Sequence, residues 1–196
     1  MTGPLNGLSD EELIAEVQRD NEEALTLLMG RFKDPLTNFV FRIVGDLEDA
    51  HDIVQETFVR AYRNRSSYKP EWRFSTWVYT IATNLAKSFL RRKRIRSIVR
   101  LTRTADEPTP VFDVPDGAPP IDTIVDASLG EERIRKALGK LPTTYRVAIV
   151  LRDIQDLTYE EIAAITGVAM GTVKSRINRG RGMLQEMLKD LREELS

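Results

Sequence analysis

Hydrophobic residues recur at steps of three and four through most of the chain, so the pattern it lays down is helical on both sides of one interruption. Ser9 followed by Glu12 has the spacing of a capping box and opens a short helix; Asn21 can cap the next, through LTLLMGRF, before Pro35 restarts the helix. From Leu47 to Arg63, Ala50, Ile53, Val54, Phe58 and Ala61 define one apolar face. Ser75 or Thr76 can cap a long helix ending near Arg96, in which Val78, Ile81, Ala82, Leu85 and Phe89 cluster on one side at about 100° per residue. The period then lapses. Pro108, Pro110, Pro115, Pro119 and Pro120, more than half of the nine prolines, fall in the next stretch, which predicts a linker extending at ~3.1 Å per residue between units that need not touch. Periodicity returns with Ile134, Ala137, Leu138 and Leu141 on one face, and Pro142 at a first-turn position opens a helix carrying Val147, Val150, Leu151 and Ile154. Thr158 and Glu161 form a second capping box, Gly167 supplies a tight turn, and a last helix runs from about Met170 to Glu194. The expected fold is all-α, with helical domains at 1–97 and 129–196 joined by a proline-rich acidic linker at 98–128.

Composition narrows the chemistry. With 41% apolar and 30% charged residues in 196, the chain is that of a soluble globular protein of one large or two small domains. It has no cysteine and a single histidine, His51, which excludes disulfide frameworks, thiol nucleophiles, Cys/His zinc sites and histidine-based triads. No enzyme activity, metal or organic cofactor is expected. No apolar run approaches the ~18 to 20 residues that span a bilayer, and MTGPLNGLSDEEL has neither a basic start nor an apolar stretch, so a cytoplasmic protein is expected.

A net charge of −1 hides segregation. After Glu71 no acid appears until Asp106, while Arg73, Lys87, Arg91, Arg92, Lys93, Arg94, Arg96, Arg100 and Arg103 fill the gap. Asp106, Glu107, Asp113, Asp116, Asp122 and Asp126 follow directly. Earlier, Asp49, Asp52 and Glu56, with Gln55 beside them, line the polar face of the 47–63 helix. That face is either simply solvated or a docking surface for a basic partner.

On the following helix, Thr80, Asn84, Lys87, Arg91 and Arg94 form a stripe of hydroxyl, amide and cations suited to a phosphate backbone, with Asn84 able to read a base edge. Trp72, Phe74, Trp77 and Tyr79 sit at its head, where rings can stack on unpaired bases or can belong to the core. In the carboxy-terminal half, Ala163, Gly167 and Val173 occupy the small, turn and anchor positions of a helix-turn-helix. In its second helix Val173, Ile177, Gly180 and Leu184 face inward; Ser175 and Asn178 point away, flanked by Lys174 and Arg179, with Arg176 and Arg181 nearer the groove walls. The plainer alternative is a solvated basic face on a structural hairpin.

Three segments, DLEDAHDIVQETFVRAYRN, RFSTWVYTIATNLAKSFLRRKR and LTYEEIAAITGVAMGTVKSRINRGRGML, resemble bacterial RNA polymerase sigma factors of the extracytoplasmic-function group. Region 2 of that family would map to about residues 8–97 and region 4 to about 129–194. The resemblance implies a specificity factor for core RNA polymerase that reads the −35 element as duplex and captures the melted −10 non-template strand. By that resemblance Trp72, Arg73, Phe74, Trp77, Thr80, Asn84, Lys87, Arg91 and Arg94 are the −10 set, and Thr158, Thr172, Lys174, Ser175, Arg176, Asn178, Arg179 and Arg181 the −35 set. Asp49, Asp52, Gln55 and Glu56 would dock on the clamp coiled coil of the polymerase's largest subunit, with its flap region a further contact. His51 stands where the family often has an acid, Ala169 replaces better capping residues, and Asn178 is a position where members differ. The linker resembles segments that thread past the polymerase cleft, and the group is commonly held by anti-sigma factors. A stand-alone helix-turn-helix regulator is the alternative, although nothing in the sequence looks like a dimer seam.

Overall fold

A computed structural model describes residues 5–103 and 127–189, and among these every regular element is helical. The helices are α1 (Asp10–Gln18), α2 (Glu22–Val44), α3 (Leu47–Arg63), α4 (Phe74–Arg103), α5 (Ala127–Lys140), α6 (Thr143–Ile149), α7 (Tyr159–Thr166) and α8 (Met170–Met187). A π-helical turn over Val150–Ile154 continues α6.

The expected caps form. Ser9 Oγ accepts the Glu12 amide at 3.2 Å while the Glu12 carboxylate accepts the Ser9 amide at 2.7 Å, which holds the Glu12 carboxyl below its ordinary range. Thr158 and Glu161 repeat the arrangement at α7. Asn21 caps α2, and Gly45 ends it in the left-handed region at φ 84°, which costs glycine no steric strain.

Elsewhere the structure departs from the periodicity. Pro35 does not restart a helix; α2 runs through it. Proline removes the bond to the Arg31 carbonyl, but Arg31 and Pro35 are both exposed, so water can take that acceptor. Neither Ser75 nor Thr76 caps α4, which begins at Phe74; the Phe74 amide donates instead to Glu11 Oε1 of α1 at 3.0 Å. Pro142 lies at the cap of α6, where its carbonyl accepts the Tyr145 and Arg146 amides, rather than in the first turn. Ile134 is 43% exposed instead of joining Ala137, Leu138 and Leu141 in the core. Helix α4 continues to Arg103, past the expected boundary at 97, and α5 opens at Ala127, inside the expected linker. Residues 104–126, the rest of that linker, and the end of the last helix beyond 189 lie outside the described residues.

Helix α2 is the common packing surface of the amino-terminal half. Its Leu28, Phe32, Leu36, Phe39, Val40 and Ile43 are buried against α1, α3 and α4. Phe39 meets Tyr79 edge-on at 5.2 Å, and Phe32 meets Phe74 at 5.1 Å. In the other half α6 and α8 approach closely at Gly180, where a Cβ would lie 2.6 Å from Ile149 Cδ1 and 3.3 Å from Tyr145 Cβ. The two halves also touch: α2 packs on α5 and the π-helical turn, α4 packs on α7, and the buried residues of both form one cluster. Replacing Gly180 by leucine overpacks the α6–α8 contact, and chemical denaturation is expected to show a loss of about 1 to 3 kcal/mol.

A candidate nucleic-acid interface

Helix α3 buries Ala50, Ile53, Val54, Phe58 and Ala61 and turns its acids outward, as its spacing predicts. Asp52 and Gln55 are exposed without an internal partner among the bonds seen, whereas Asp49 lies 3.4 Å from Lys93 of α4 and Glu56 2.7 Å from Arg60. Both pairs are solvent-exposed, so a partner's cations can replace the internal ones at little cost.

On α4, Asn84, Arg91 and Arg94 are exposed. Lys87 is half-buried, and burial, followed by the approach of Arg176, disfavours its charged form. The Thr80 hydroxyl donates to the Thr76 carbonyl at 2.7 Å, so part of its hydrogen-bonding capacity is spent within the helix.

The aromatic head of the stripe divides. Trp72 is 51% exposed, and its backbone is fixed, because its amide donates to the Lys69 carbonyl and its own carbonyl accepts the Tyr68 hydroxyl at 2.6 Å. Burial, with Glu11 and Asp10 nearby, pushes the Tyr68 hydroxyl up to about 12, so it remains a donor at neutral pH. Phe74, expected at the −10 surface, is only 2% exposed and packs between Phe32 and Tyr68; it belongs to the core. Trp77 is partly buried against Tyr68 and Phe74. Tyr79, for which the sequence left core and contact open, is core, and its hydroxyl donates to Gln155 at 2.6 Å. Arg73 reaches Glu161 of α7 at 3.2 Å.

In the helix-turn-helix, Gly167 adopts φ 68° and its amide returns to the Ala163 carbonyl, while Ala169 caps α8 through its carbonyl alone. Val173, Ile177 and Gly180 are buried, which turns Lys174, Ser175, Asn178 and Arg179 to solvent; Thr172 and Arg176 are intermediate. Three members of the expected set are engaged internally. The Thr158 hydroxyl serves the α7 cap, the Ser175 hydroxyl donates to the Thr172 carbonyl at 2.9 Å, and Arg181 binds Asp153 through two nitrogens. That pairing raises the Arg181 pKa and ties α8 to the π-helical turn.

Residues 28–96 match the family model for Sigma-70 region 2, and residues 131–184 match that for Sigma-70 region 4. ECF RNA polymerase sigma factor SigW of Bacillus subtilis (strain 168) is 37% identical over 180 residues, spanning 91% of this chain and 96% of the relative. The chain belongs to the extracytoplasmic-function sigma factors. Such a factor is not an enzyme but a transcription initiation factor. Two solved structures resemble this sigma factor over most of its length. CnrH, in complex with the cytosolic domain of CnrY, has a TM-score of 0.68 at 26% identity and covers 92% of this chain and 97% of that one. The sigma factor RpoE of Bartonella quintana, in complex with the anti-sigma factor NepR, has a TM-score of 0.63 at 29% identity over 84% and 96%. No helix among the described residues of this sigma factor is long and apolar enough to cross a membrane, and none of its described carboxylates or histidine cluster in a way that could hold a metal.

Periodicity missed one residue on the recognition side. Tyr159 carries the Arg152 guanidinium 5.3 Å and the Lys174 ammonium 5.8 Å from its ring centroid, which tethers a cation of α8 to α7. Such a contact joins two helices and leaves no trace in the period of either. The division of the aromatic head can be tested in this sigma factor by urea unfolding: Phe74→Ala should cost about 3 to 5 kcal/mol, and Trp72→Ala within about 0.5 kcal/mol.

Proposed function

We propose that this sigma factor joins core RNA polymerase in the cytoplasm, docks through the acid face of α3 and directs initiation by holding the −10 non-template strand on α4 and reading the −35 duplex with α8. The observation that carries the reading is the separation, in one chain, of an exposed acid face from two cation-bearing faces, one headed by an exposed tryptophan and the other on the second helix of a helix-turn-helix. An acid face suits a basic protein surface, an exposed indole suits an unpaired base, and a helix bearing amide and guanidinium donors suits a major groove.

Region 2 spans about residues 1–97 and region 4 about 129–196 in this assignment. Docking falls to Asp49, Asp52, Gln55 and Glu56. On the −10 side Trp72, Arg73, Trp77, Asn84, Lys87, Arg91 and Arg94 carry the contacts, with Trp72 and Asn84 at the captured base. On the −35 side Lys174, Asn178 and Arg179 donate to base edges and Ser175, its hydroxyl proton given to the Thr172 carbonyl, can only accept, while Thr172 and Arg176 lie nearer phosphates. Arg181 acts first as a structural clasp through Asp153. Anti-sigma control is part of the proposal, supported by the capture of the Bartonella quintana relative by NepR. A stand-alone helix-turn-helix regulator would leave the acid face and the whole amino-terminal half without a task.

Run-off transcription with purified core polymerase and a randomised promoter library tests the reading: templates sharing two spaced elements should be enriched, and absence of stimulation would reject it. Asp52→Arg combined with Glu56→Arg should abolish co-purification with core polymerase while circular dichroism stays unchanged. Arg179→Ala should weaken −35-dependent transcription by about 1 to 3 kcal/mol, read as a relaxed preference across a panel of −35 mutants.

A further inference from the structure

Between α3 and α4 the chain turns through residues 64–73, and α1 holds that loop at both ends. At its start the Gln18 side-chain amide donates to the Arg65 carbonyl at 2.8 Å and to the Tyr68 carbonyl at 3.2 Å. The Arg65 guanidinium pairs with the Asp20 carboxylate, donates to the Tyr62 carbonyl at 3.0 Å and lies 4.3 Å from the Tyr62 ring centroid. At its end Glu11 accepts the Phe74 amide. In between, the buried Tyr68 packs its ring on Trp77 at 5.4 Å and donates its hydroxyl to the Trp72 carbonyl, so the hold on Tyr68 passes to the residue that bears the exposed indole.

Asp20 occupies a glycine's place. Helix α1 closes with the Asp20 amide on the Val17 carbonyl and the Asn21 amide on the Glu16 carbonyl, a Schellman motif. Asp20 stands at φ 66°, where glycine is the usual occupant because a side chain there is sterically strained. The end of α1 therefore has no need of an aspartate, whereas the loop uses its carboxylate. Gln18 and Asp20 are both exposed, so neither fills the core.

We propose that Gln18 and Asp20, at the carboxy-terminal turn of α1, are positioning residues for single-strand capture, holding the 64–73 loop so that Trp72 is already placed for an unpaired base. The inference rests on the assignment of Trp72 to the −10 strand above. A loop ordered before the strand arrives removes its ordering entropy from the cost of binding, so releasing it should weaken capture and leave the −35 face untouched.

Loop placement can be read without DNA. In a Trp77→Phe background Trp72 is the only tryptophan, and its fluorescence anisotropy in the free full-length chain should fall when Gln18→Ala and Asp20→Gly are combined. Urea unfolding should show Asp20→Gly alone at least as stable as the parent, because glycine relieves the left-handed strain. The strand is tested in holoenzyme assembled with core polymerase, with Trp77 intact, using a fluorescein-labelled single-stranded oligonucleotide that carries the downstream element enriched from the promoter library. It should bind the double variant about threefold to tenfold more weakly, since apparent affinity scales with the fraction of loops already placed, while affinity for −35 duplex stays unchanged. Asp20→Asn, which keeps an acceptor for Arg65 and tolerates the same backbone region, should retain more of the binding than Asp20→Gly. Unchanged Trp72 anisotropy, or unchanged strand affinity in the double variant where Trp72→Ala lowers it, would overturn this inference alone. Strand affinity that Trp72→Ala leaves unchanged would reject the −10 assignment, and the inference with it.

Discussion

The apolar side of α2 is the constraint on which the rest of the molecule depends. At 23 residues the helix is roughly 35 Å long, and Leu28, Leu36, Phe39, Val40 and Ile43 are all but fully buried along it. Each such side chain contributes about 1.5 to 3 kcal/mol when removed from water, so exposing even part of this face is untenable for a chain of ordinary stability. No single neighbour covers it, because packed helices cross at an angle and each meets only part of the other's length. Helices α1, α3 and α4 cover most of its length, and elements of the carboxy-terminal half reach its far end, where Arg146 meets the Ile43 carbonyl. Because α3 and α4 must each give α2 their apolar side, the acids of one and the cations of the other are driven outward. Charge segregation along the sequence thus becomes charge segregation in space.

Legibility followed the range of the interaction. Capping boxes at Ser9 and Thr158, the glycine turn at Gly167 and the face of α3 are decided within four or five residues, and the periodicity placed them correctly. Phe74 could not be read that way. Its position at the head of a basic helix suggested a stacking surface, but its amide is capped by Glu11 and its ring meets Phe32, partners more than forty residues away. Pro35 misled for the opposite reason, since proline's local cost is real but solvent at an exposed carbonyl offsets it. The contact between the halves lies beyond any local pattern, because it joins Ile43 to Arg146 and Tyr79 to Gln155.

The candidate site shows a second limit of residue type as evidence. Hydroxyls and guanidinium groups were chosen because they can bind phosphate or base edges, and that capacity is finite. Thr80, Thr158 and Ser175 spend hydroxyl donors on nearby acceptors, and Arg181 spends two nitrogens on Asp153. Asn84, Asn178 and Arg179 stand at exposed positions, where the amide and guanidinium can meet a base edge. Sequence ranks these residues together, whereas hydrogen-bond accounting separates those that shape the surface from those that can read through it.

The same accounting bears on how the two halves are held. Burying Lys87 near Arg176 works against the contact between the halves, and an exposed pair such as Arg73 with Glu161 gives little in return. Arg146 differs, because its surroundings exclude water and its guanidinium meets carbonyls that already lack partners at two helix ends. A buried cation in that setting costs desolvation, which lowers its pKa, and the α2 terminus adds to the acceptors that offset it. Its own half supplies two carbonyls and the other half the third. The arrangement therefore joins the halves in a fixed direction, beside the apolar packing of α2 on α5 and of α4 on α7.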